Sequence, residues 1–123
     1  MAKKILIVDD DKIFTKILRD SCEATGEYEV LTAFTGDEGL KRALEESPDL
    51  IMLDLMLPGL TGIEFLQKLR ADERGRDVPV LVETQLSDLE KMGQGMELGV
   101  RGYILKASNS TEEILKQVRE ILK

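Results

Sequence analysis

The chain has 123 residues, of which 42% are hydrophobic and 33% charged, and this composition predicts one compact domain with a core of its own. Histidine is absent, which excludes a Ser-His-Asp catalytic unit and a histidine-ligated zinc site. The formal net charge of -7 argues against direct nucleic-acid binding. A single cysteine, Cys22, excludes an internal disulfide and is typical of a cytoplasmic protein, and no apolar run approaches the roughly 20 residues that cross a membrane.

Short apolar runs alternate with segments of helical period along the whole chain. Their continuous apolar character is typical of parallel strands covered on both faces. The second run is the most polar, so we expect it at a sheet edge. Strict alternation of strand and helix predicts right-handed crossovers and an α/β, doubly wound sheet of five strands. The predicted strands are residues 5–8, 29–33, 50–53, 78–82 and 102–105.

The helix starts carry a repeated signal, a Ser or Thr followed three residues later by Glu, which is the pattern of a capping box. It occurs at Thr35/Glu38, Thr61/Glu64, Ser87/Glu90 and Ser110/Glu113. A fifth helix is predicted to begin at Asp11, whose carboxylate can cap the first turn. Helical spacing predicts its inner face as Ile13, Phe14, Ile17, Leu18 and Ser21 or Cys22, and that of the last helix as Ile114, Leu115, Val118, Ile121 and Leu122.

The fourth predicted helix, near residues 87–98, contains Gly93 and Gly95. Glycine inside a helix costs about 1 kcal/mol relative to alanine. Two interpretations follow: the helix frays or shifts more readily than its neighbours, or the glycines permit close packing.

Charged and hydroxyl residues stand where four of the predicted strands end. In an open α/β sheet, ligands bind beyond the carboxyl ends of the strands. Each residue taken alone has an ordinary explanation as a cap, a turn residue or a surface charge, but together they predict one site at one rim. The set is Asp9 and Asp10 after the first strand, Asp54 after the third, Thr84 after the fourth and Lys106 after the fifth.

This set of side chains has a chemical logic. Carboxylates about 4 Å apart repel by roughly 4 kcal/mol at an effective dielectric constant near 20, so a cluster of them requires a cation or a proton. An all-oxygen site favours Mg²⁺, and the charges of three aspartates, Lys106 and Mg²⁺ cancel. Such a pocket suits a phosphoryl group in transit, with a carboxylate as the nucleophile that forms an aspartyl phosphate.

Three segments resemble the signature segments of bacterial response-regulator receiver domains, namely residues 5–11 (ILIVDDD), 49–62 (DLIMLDLMLPGLTG) and 99–106 (GVRGYILK). The resemblance covers the whole chain and is to single-domain receivers of the chemotaxis-regulator type. It implies a flavodoxin-like fold with strand order 2-1-3-4-5, one receiver domain over residues 1–123, and no output domain in this chain.

The resemblance also implies a role for each residue. Asp54 would be the phosphoacceptor for a phosphoryl group from a phosphohistidine on a sensor histidine kinase or a histidine phosphotransfer protein. Mg²⁺ would be bound by Asp10, Asp54 and the backbone carbonyl of Met56, with Asp9 acting mainly through a bound water. Lys106 and the Thr84 hydroxyl would contact the phosphoryl oxygens, and Tyr103 would be the aromatic switch residue.

Three positions depart from the family pattern. Gln85 replaces a small residue and either restricts access to the phosphoryl group or points to solvent. Ala107 replaces a proline that commonly forms a cis bond; because a non-proline cis bond costs about 2.5 to 4 kcal/mol, we expect a trans bond after Lys106. Glu83 occupies an apolar strand position, where it either pairs with a lysine or, as we expect, reaches solvent from the strand end.

The leading hypothesis is therefore a Mg²⁺-dependent phosphoacceptor, not an enzyme in the ordinary sense. Its phosphorylation would switch the face built from the fourth helix, fifth strand and fifth helix toward a downstream protein, with Met92, Met96 and Tyr103 as candidates for that face. The alternative is a receiver-like interaction module that signals without phosphorylation. A haloacid dehalogenase-like phosphatase fits less well because Met56 stands where a second acid is needed, and a flavodoxin-type flavin carrier lacks its phosphate-binding loop after the first strand.

Overall fold

The computed structural model describes residues 2–84 and 89–123. Within these residues five strands alternate with five α-helices, as predicted. The strands are β1 (Lys3–Val8), β2 (Tyr28–Ala33), β3 (Leu50–Asp54), β4 (Val80–Thr84) and β5 (Gly102–Leu105). The helices are α1 (Lys12–Ala24), α2 (Gly36–Glu46), α3 (Gly62–Ala71), α4 (Leu89–Glu97) and α5 (Thr111–Leu122), with a short 3₁₀ helix at Glu73–Gly75.

All five strands are parallel and form one sheet in the order β2-β1-β3-β4-β5. The flavodoxin-like fold class and the edge position of β2 are thus confirmed. The chain reverses its direction of winding between β1 and β3, which is where an open α/β sheet binds its ligands.

Two hydrophobic layers cover the sheet, because successive strand side chains point to opposite faces. On one face Ile5, Ile7, Met52 and Leu81 pack with the inner residues of α1 and α5. The other face packs against α2 and α3, with Phe65, Leu66 and Leu69 at its centre. The predicted inner face of α5 is confirmed, since Ile114, Val118 and Leu122 are buried and Leu115 and Ile121 pack against them.

The predicted inner face of α1 was partly wrong. Leu18 and Cys22 are buried and Phe14 packs against them, but Ile13 is 76% exposed and Ile17 52% exposed. Thr15 is buried instead. The apolar face of α1 is therefore narrower than predicted and is turned toward Phe14, Leu18 and Cys22, which pack on the sheet. The rotation of the helix about its axis is set by this packing.

The predicted helix caps are confirmed where the structure describes them. The Asp11 carboxylate accepts hydrogen bonds from the N–H groups of Ile13 and Phe14. Complete capping boxes form at Thr61/Glu64 and Ser110/Glu113, whereas at Thr35 the hydroxyl accepts from the Glu38 N–H without a return bond. The predicted box at Ser87/Glu90 lies outside the described residues.

Strand β4 begins two residues later than predicted, at Val80, because Pro79 has no N–H to donate; its carbonyl accepts from the N–H of Ile51. None of the described helices is long and apolar enough to cross a membrane.

Candidate functional site

Four charged side chains continue the inner rows of the α1/α5 face of the sheet. Asp9 follows Ile7 by two residues, Asp54 follows Met52, Glu83 follows Leu81 and Lys106 follows Ile104. Since Ile7, Met52, Leu81 and Ile104 all lie in the hydrophobic layer on that face, the two-residue period of a strand directs the four charged groups to the same side of the carboxyl edge. The side chains on this face change from apolar to charged at the end of each of the four strands. This change creates a polar pocket at the edge of the hydrophobic core.

Three aspartates converge in this pocket. Asp9, Asp10 and Asp54 each offer a carboxylate oxygen, and these oxygens lie within 4.8 Å of one another. Asp9 is fully buried, Asp54 is 5% exposed and Asp10 is exposed. The predicted acidic cluster is thus present, with one carboxylate open to solvent and two held inside the protein.

Lys106 supplies the cation of the pocket. Its Nζ forms an ion pair with Asp9 Oδ2 at 2.5 Å. It also lies 3.3 Å from Asp54 Oδ2, to which it donates a hydrogen bond. The same ammonium sits 4.8 Å from the centre of the Phe14 ring, a favourable cation–π distance. Burial lowers the pKa of Lys106, but the neighbouring Asp9, Asp54 and Glu83 together outweigh burial and raise the pKa above its usual value.

Both oxygens of Asp54 are engaged. Oδ1 accepts from the Met56 N–H at 2.9 Å, and Oδ2 accepts from Lys106. Burial raises the pKa of Asp54, and the Met56 N–H and Lys106 only partly oppose this. Burial also raises the pKa of Asp9, but contacts with Glu83 and Lys106 hold it below its usual value. Asp54 is therefore the less firmly ionised of the two buried aspartates.

Glu83 does not reach solvent, which corrects our expectation. It is completely buried, it pairs across the sheet with Asp54, and among the described residues neither of its oxygens has an N–H or O–H donor. Its carboxyl group contacts Asp9. Burial raises the pKa of Glu83 well above its usual range, and the neighbouring Asp9 raises it further. Glu83 lies two residues after Leu81, so both side chains point to the same face of the sheet. This spacing is the sequence signal that would have placed the carboxyl group of Glu83 in the pocket.

The remaining predicted residues lie around this group. Thr84 is 2% exposed at the end of β4, and strand alternation directs it to the opposite face from Glu83. Tyr103 is half-buried and packs against the hydrophobic layer on that opposite face. The Met56 side chain is 50% exposed, and its backbone N–H donates to Asp54 in the pocket. The Lys106–Ala107 bond is trans, as expected, whereas Gln85 lies outside the described residues.

A doubly wound sheet of order 2-1-3-4-5 with an aspartate cluster at its carboxyl edge defines the class of protein as a flavodoxin-like α/β domain with an acidic pocket at its ligand-binding edge. The sequence profile of the response regulator receiver domain matches residues 5–119. The chain therefore belongs to the receiver domain family of two-component response regulators, whose members act as phosphoacceptor switches.

Sequence similarity to curated proteins supports this assignment. The chain is 41% identical over 120 residues to the DNA-binding dual master transcriptional regulator RpaA of Synechocystis sp., covering 98% of this chain and 49% of RpaA. It is 41% identical over 123 residues to the alkaline phosphatase synthesis transcriptional regulatory protein PhoP of Bacillus subtilis, covering 100% of this chain and 50% of PhoP. The chain thus spans about half the length of these curated relatives.

Among solved structures, the chemotaxis protein CheY4 of Vibrio cholerae is similar with a TM-score of 0.90 at 30% identity, over 98% of this chain and 99% of CheY4. A CheY-like receiver domain protein of Methanospirillum hungatei has a TM-score of 0.90 at 31% identity, over 99% of this chain and 94% of its own. The likeness therefore extends over the entire fold.

Proposed function

We propose that this protein is a Mg²⁺-dependent phosphoacceptor that receives a phosphoryl group on Asp54. The observation that carries the proposal is the placement of Asp54: a nearly buried carboxylate, 3.3 Å from the Lys106 ammonium, within a cluster of three aspartates. The donor would be a phosphohistidine on a histidine kinase or phosphotransfer protein, since the chain has no histidine of its own.

The donor atoms of the pocket fit Mg²⁺. Asp9, Asp10 and Asp54 provide only oxygen ligands, which Mg²⁺ prefers, and exposed Asp10 leaves room for the waters that Mg²⁺ retains. Asp10, Asp54 and the Met56 carbonyl would hold the ion, with Asp9 acting through a bound water. Bound Mg²⁺ would neutralise negative charge on the phosphoryl oxygens.

In the transfer, an oxygen of Asp54 forms a bond to phosphorus while the bond between phosphorus and the donor's imidazole nitrogen breaks. The imidazole leaves with the electron pair of that bond and takes up a proton from solvent. Lys106 stabilises the charge on the equatorial oxygens, because its ammonium already lies beside Asp54. The Met56 N–H orients the carboxylate by its bond to Oδ1, which lowers the entropy cost of alignment.

Phosphorylation of Asp54 then causes a conformational change. Asp54 gains about one further negative charge, which draws the Thr84 hydroxyl and Lys106 toward the phosphoryl group. Tyr103 on β5 follows Thr84 and alters the surface formed by α4, β5 and α5, where the exposed Met96 lies. A downstream protein would bind this surface in only one of the two states.

Intact mass spectrometry after incubation with acetyl phosphate and Mg²⁺ tests the proposal. We expect the wild type to gain the mass of one phosphoryl group and Asp54→Asn to gain none. Asp77→Asn, which changes an exposed aspartate distant from the pocket, is the matched control and should be labelled like the wild type. Labelling of Asp54→Asn to the wild-type extent, or no labelling of the wild type, would contradict the proposal.

An interaction module that signals without phosphorylation is the second candidate, and buried Glu83 is the observation that favours it. Glu83 departs from the apolar residue usual in the family at this position and places a fourth carboxyl group against Asp9, in the wall of the pocket that must accept a phosphoryl group. The two candidates separate in a binding experiment, because partner binding that is indifferent to Asp54→Asn and to Mg²⁺ supports only the second.

A further inference from the structure

The tyrosine on β5 and a glycine on α4 fit each other closely. Gly95 is buried on the inner side of α4, and a Cβ built at that position would overlap the hydroxyl oxygen of Tyr103. The same Cβ would lie 3.3 Å from Tyr103 Cζ and 3.6 Å from Val100 Cγ2. The end of the Tyr103 ring therefore occupies the space that any side chain at position 95 would need.

The second glycine of the helix shows that this fit is local. Gly93 is exposed, and among the described residues no atom lies within 4 Å of a Cβ at its position. Of the two interpretations of the glycine pair, close packing therefore applies to Gly95 and not to Gly93. Alanine would raise helix propensity equally at both positions, so the two substitutions differ mainly in what they do to Tyr103.

The position of the Tyr103 ring is also tied to α4 by polar contacts. Burial raises the pKa of its phenol, and the backbone N–H of Met96, one residue beyond Gly95, opposes the shift. The ring packs against the hydrophobic layer that contains Val82 and Val100. Its hydroxyl end is thus in contact with the backbone of α4, while the rest of the ring contacts the core.

We propose that Gly95 is a positioning residue for Tyr103: by leaving space on the inner side of α4, it decides where the ring lies and so couples α4 to the phosphorylation site through β5. The inference rests on the proposed function, because it takes Tyr103 as the side chain that responds to phosphorylation of Asp54. A methyl group at position 95 would displace the ring toward solvent and leave the aspartate pocket intact, since Gly95 contacts none of the pocket residues among its near neighbours.

The test uses the full chain in a Tyr28→Phe background. The protein has two tyrosines and no tryptophan, so its intrinsic fluorescence then reports Tyr103 alone. Without any phosphoryl analogue, we expect Gly95→Ala to increase acrylamide quenching of this fluorescence, whereas Gly93→Ala should be quenched like the parent. Equal quenching of the two variants would overturn the inference.

A second arm adds Mg²⁺ and beryllofluoride, whose binding is followed independently by fluorine NMR. The parent and Gly93→Ala should show a change in tyrosine emission, and Gly95→Ala should bind beryllofluoride but lose most of that change. If beryllofluoride binds the parent without altering Tyr103, the proposed switch fails, while the quenching arm still decides whether Gly95 positions the ring.

Urea unfolding excludes general damage to α4. With Tyr103 present, Gly95→Ala should unfold at a lower urea concentration than Gly93→Ala. In a Tyr103→Phe background the overlapping hydroxyl is gone and the difference should largely disappear. A difference that persists there would show that the methyl group disrupts something other than the tyrosine, and would contradict the inference.

Discussion

At the scale of single residues, Glu83 stands out as a completely buried carboxyl group on a central strand. A carboxyl group without a donor partner is costly to bury, and this one lies against Asp9 in the wall of the pocket. Its raised pKa means that it keeps its proton in the folded protein at pH values where an unfolded chain would lose it. The proton between Glu83 and Asp9 allows two buried carboxyl groups to share one side of the pocket.

Replacement of Glu83 by valine should therefore stabilise the protein at pH 7 by about 1 to 3 kcal/mol, because valine removes the cost of burying a carboxyl group and of protonating it on folding. Urea unfolding measures the change. Glu29→Val, at an exposed position on the edge strand β2, is the control and should change the free energy of unfolding much less. A loss of stability in Glu83→Val would show that the carboxyl group supports the fold.

The pH dependence of stability gives a further check on Glu83. Because its pKa is raised in the folded state, the folded protein binds more protons than the unfolded chain, and this group makes stability fall as pH rises above the ordinary glutamate value of about 4.3. As the pH rises from about 5 to about 8, above that value, the free energy of unfolding should fall less for Glu83→Gln than for the wild type. Identical slopes in urea titrations at a series of pH values would contradict the assignment.

At the scale of elements, Arg70 joins three segments at the opposite edge of the sheet from the pocket. From α3 its Nε donates to the carbonyl of Leu98 at 2.8 Å, and its Nη1 donates to the carbonyls of Val78 at 2.7 Å and Gly75 at 3.0 Å. These carbonyls belong to the loop before β4 and the turn after α4. Since α4 is short and contains two glycines, its C-terminal end depends on this clamp as well as on its own helix propensity.

Arg70→Met should remove these bonds while keeping the aliphatic part of the side chain. We expect a loss of about 1.5 to 3 kcal/mol, the range for hydrogen bonds to a charged group, with faster amide hydrogen exchange in residues 93–100. Lys68→Met, at an exposed position on the same helix, should leave both unchanged. Equal effects of the two substitutions on urea unfolding would show that the clamp contributes nothing.

At the scale of the whole molecule, folding concentrates part of the acidic character of the chain at one point. The net charge is -7, and the sheet brings Asp9 and Asp10 from the end of β1 next to Asp54 from the end of β3. Lys106 offsets only one of these charges. The folded protein therefore carries a local repulsion that a divalent cation would relieve, which links cation binding to stability.

Mg²⁺ should raise the unfolding temperature of the wild type, because a ligand that binds only the folded state stabilises it by about 2.7 kcal/mol at 100 times its Kd. Asp10→Asn should lose most of this response, and neighbouring Asp11→Asn should retain it. Asp11 caps α1, a role that asparagine also performs, and it is outside the aspartate cluster. Thermal unfolding with and without Mg²⁺ measures the response of each variant. Equal responses of the two variants would contradict a cation site built on Asp10.

Much of this protein was determined by the sequence alone. Continuous apolar runs and the capping signals at Asp11, Thr61 and Ser110 predicted the order of the elements, because these signals depend only on neighbours along the chain. Asp9, Asp54 and Lys106 could be assigned to one site because the ends of parallel strands lie at one edge. Only the tertiary structure decided that Ile13 and Ile17 of α1 stay exposed, that Glu83 is buried against Asp9, and that Gly95 makes room for Tyr103. These features depend on the distance and rotation between segments far apart in the chain, which are set by the packing of the two hydrophobic layers. Of the three, only the burial of Glu83 has a local signal, its two-residue spacing from buried Leu81.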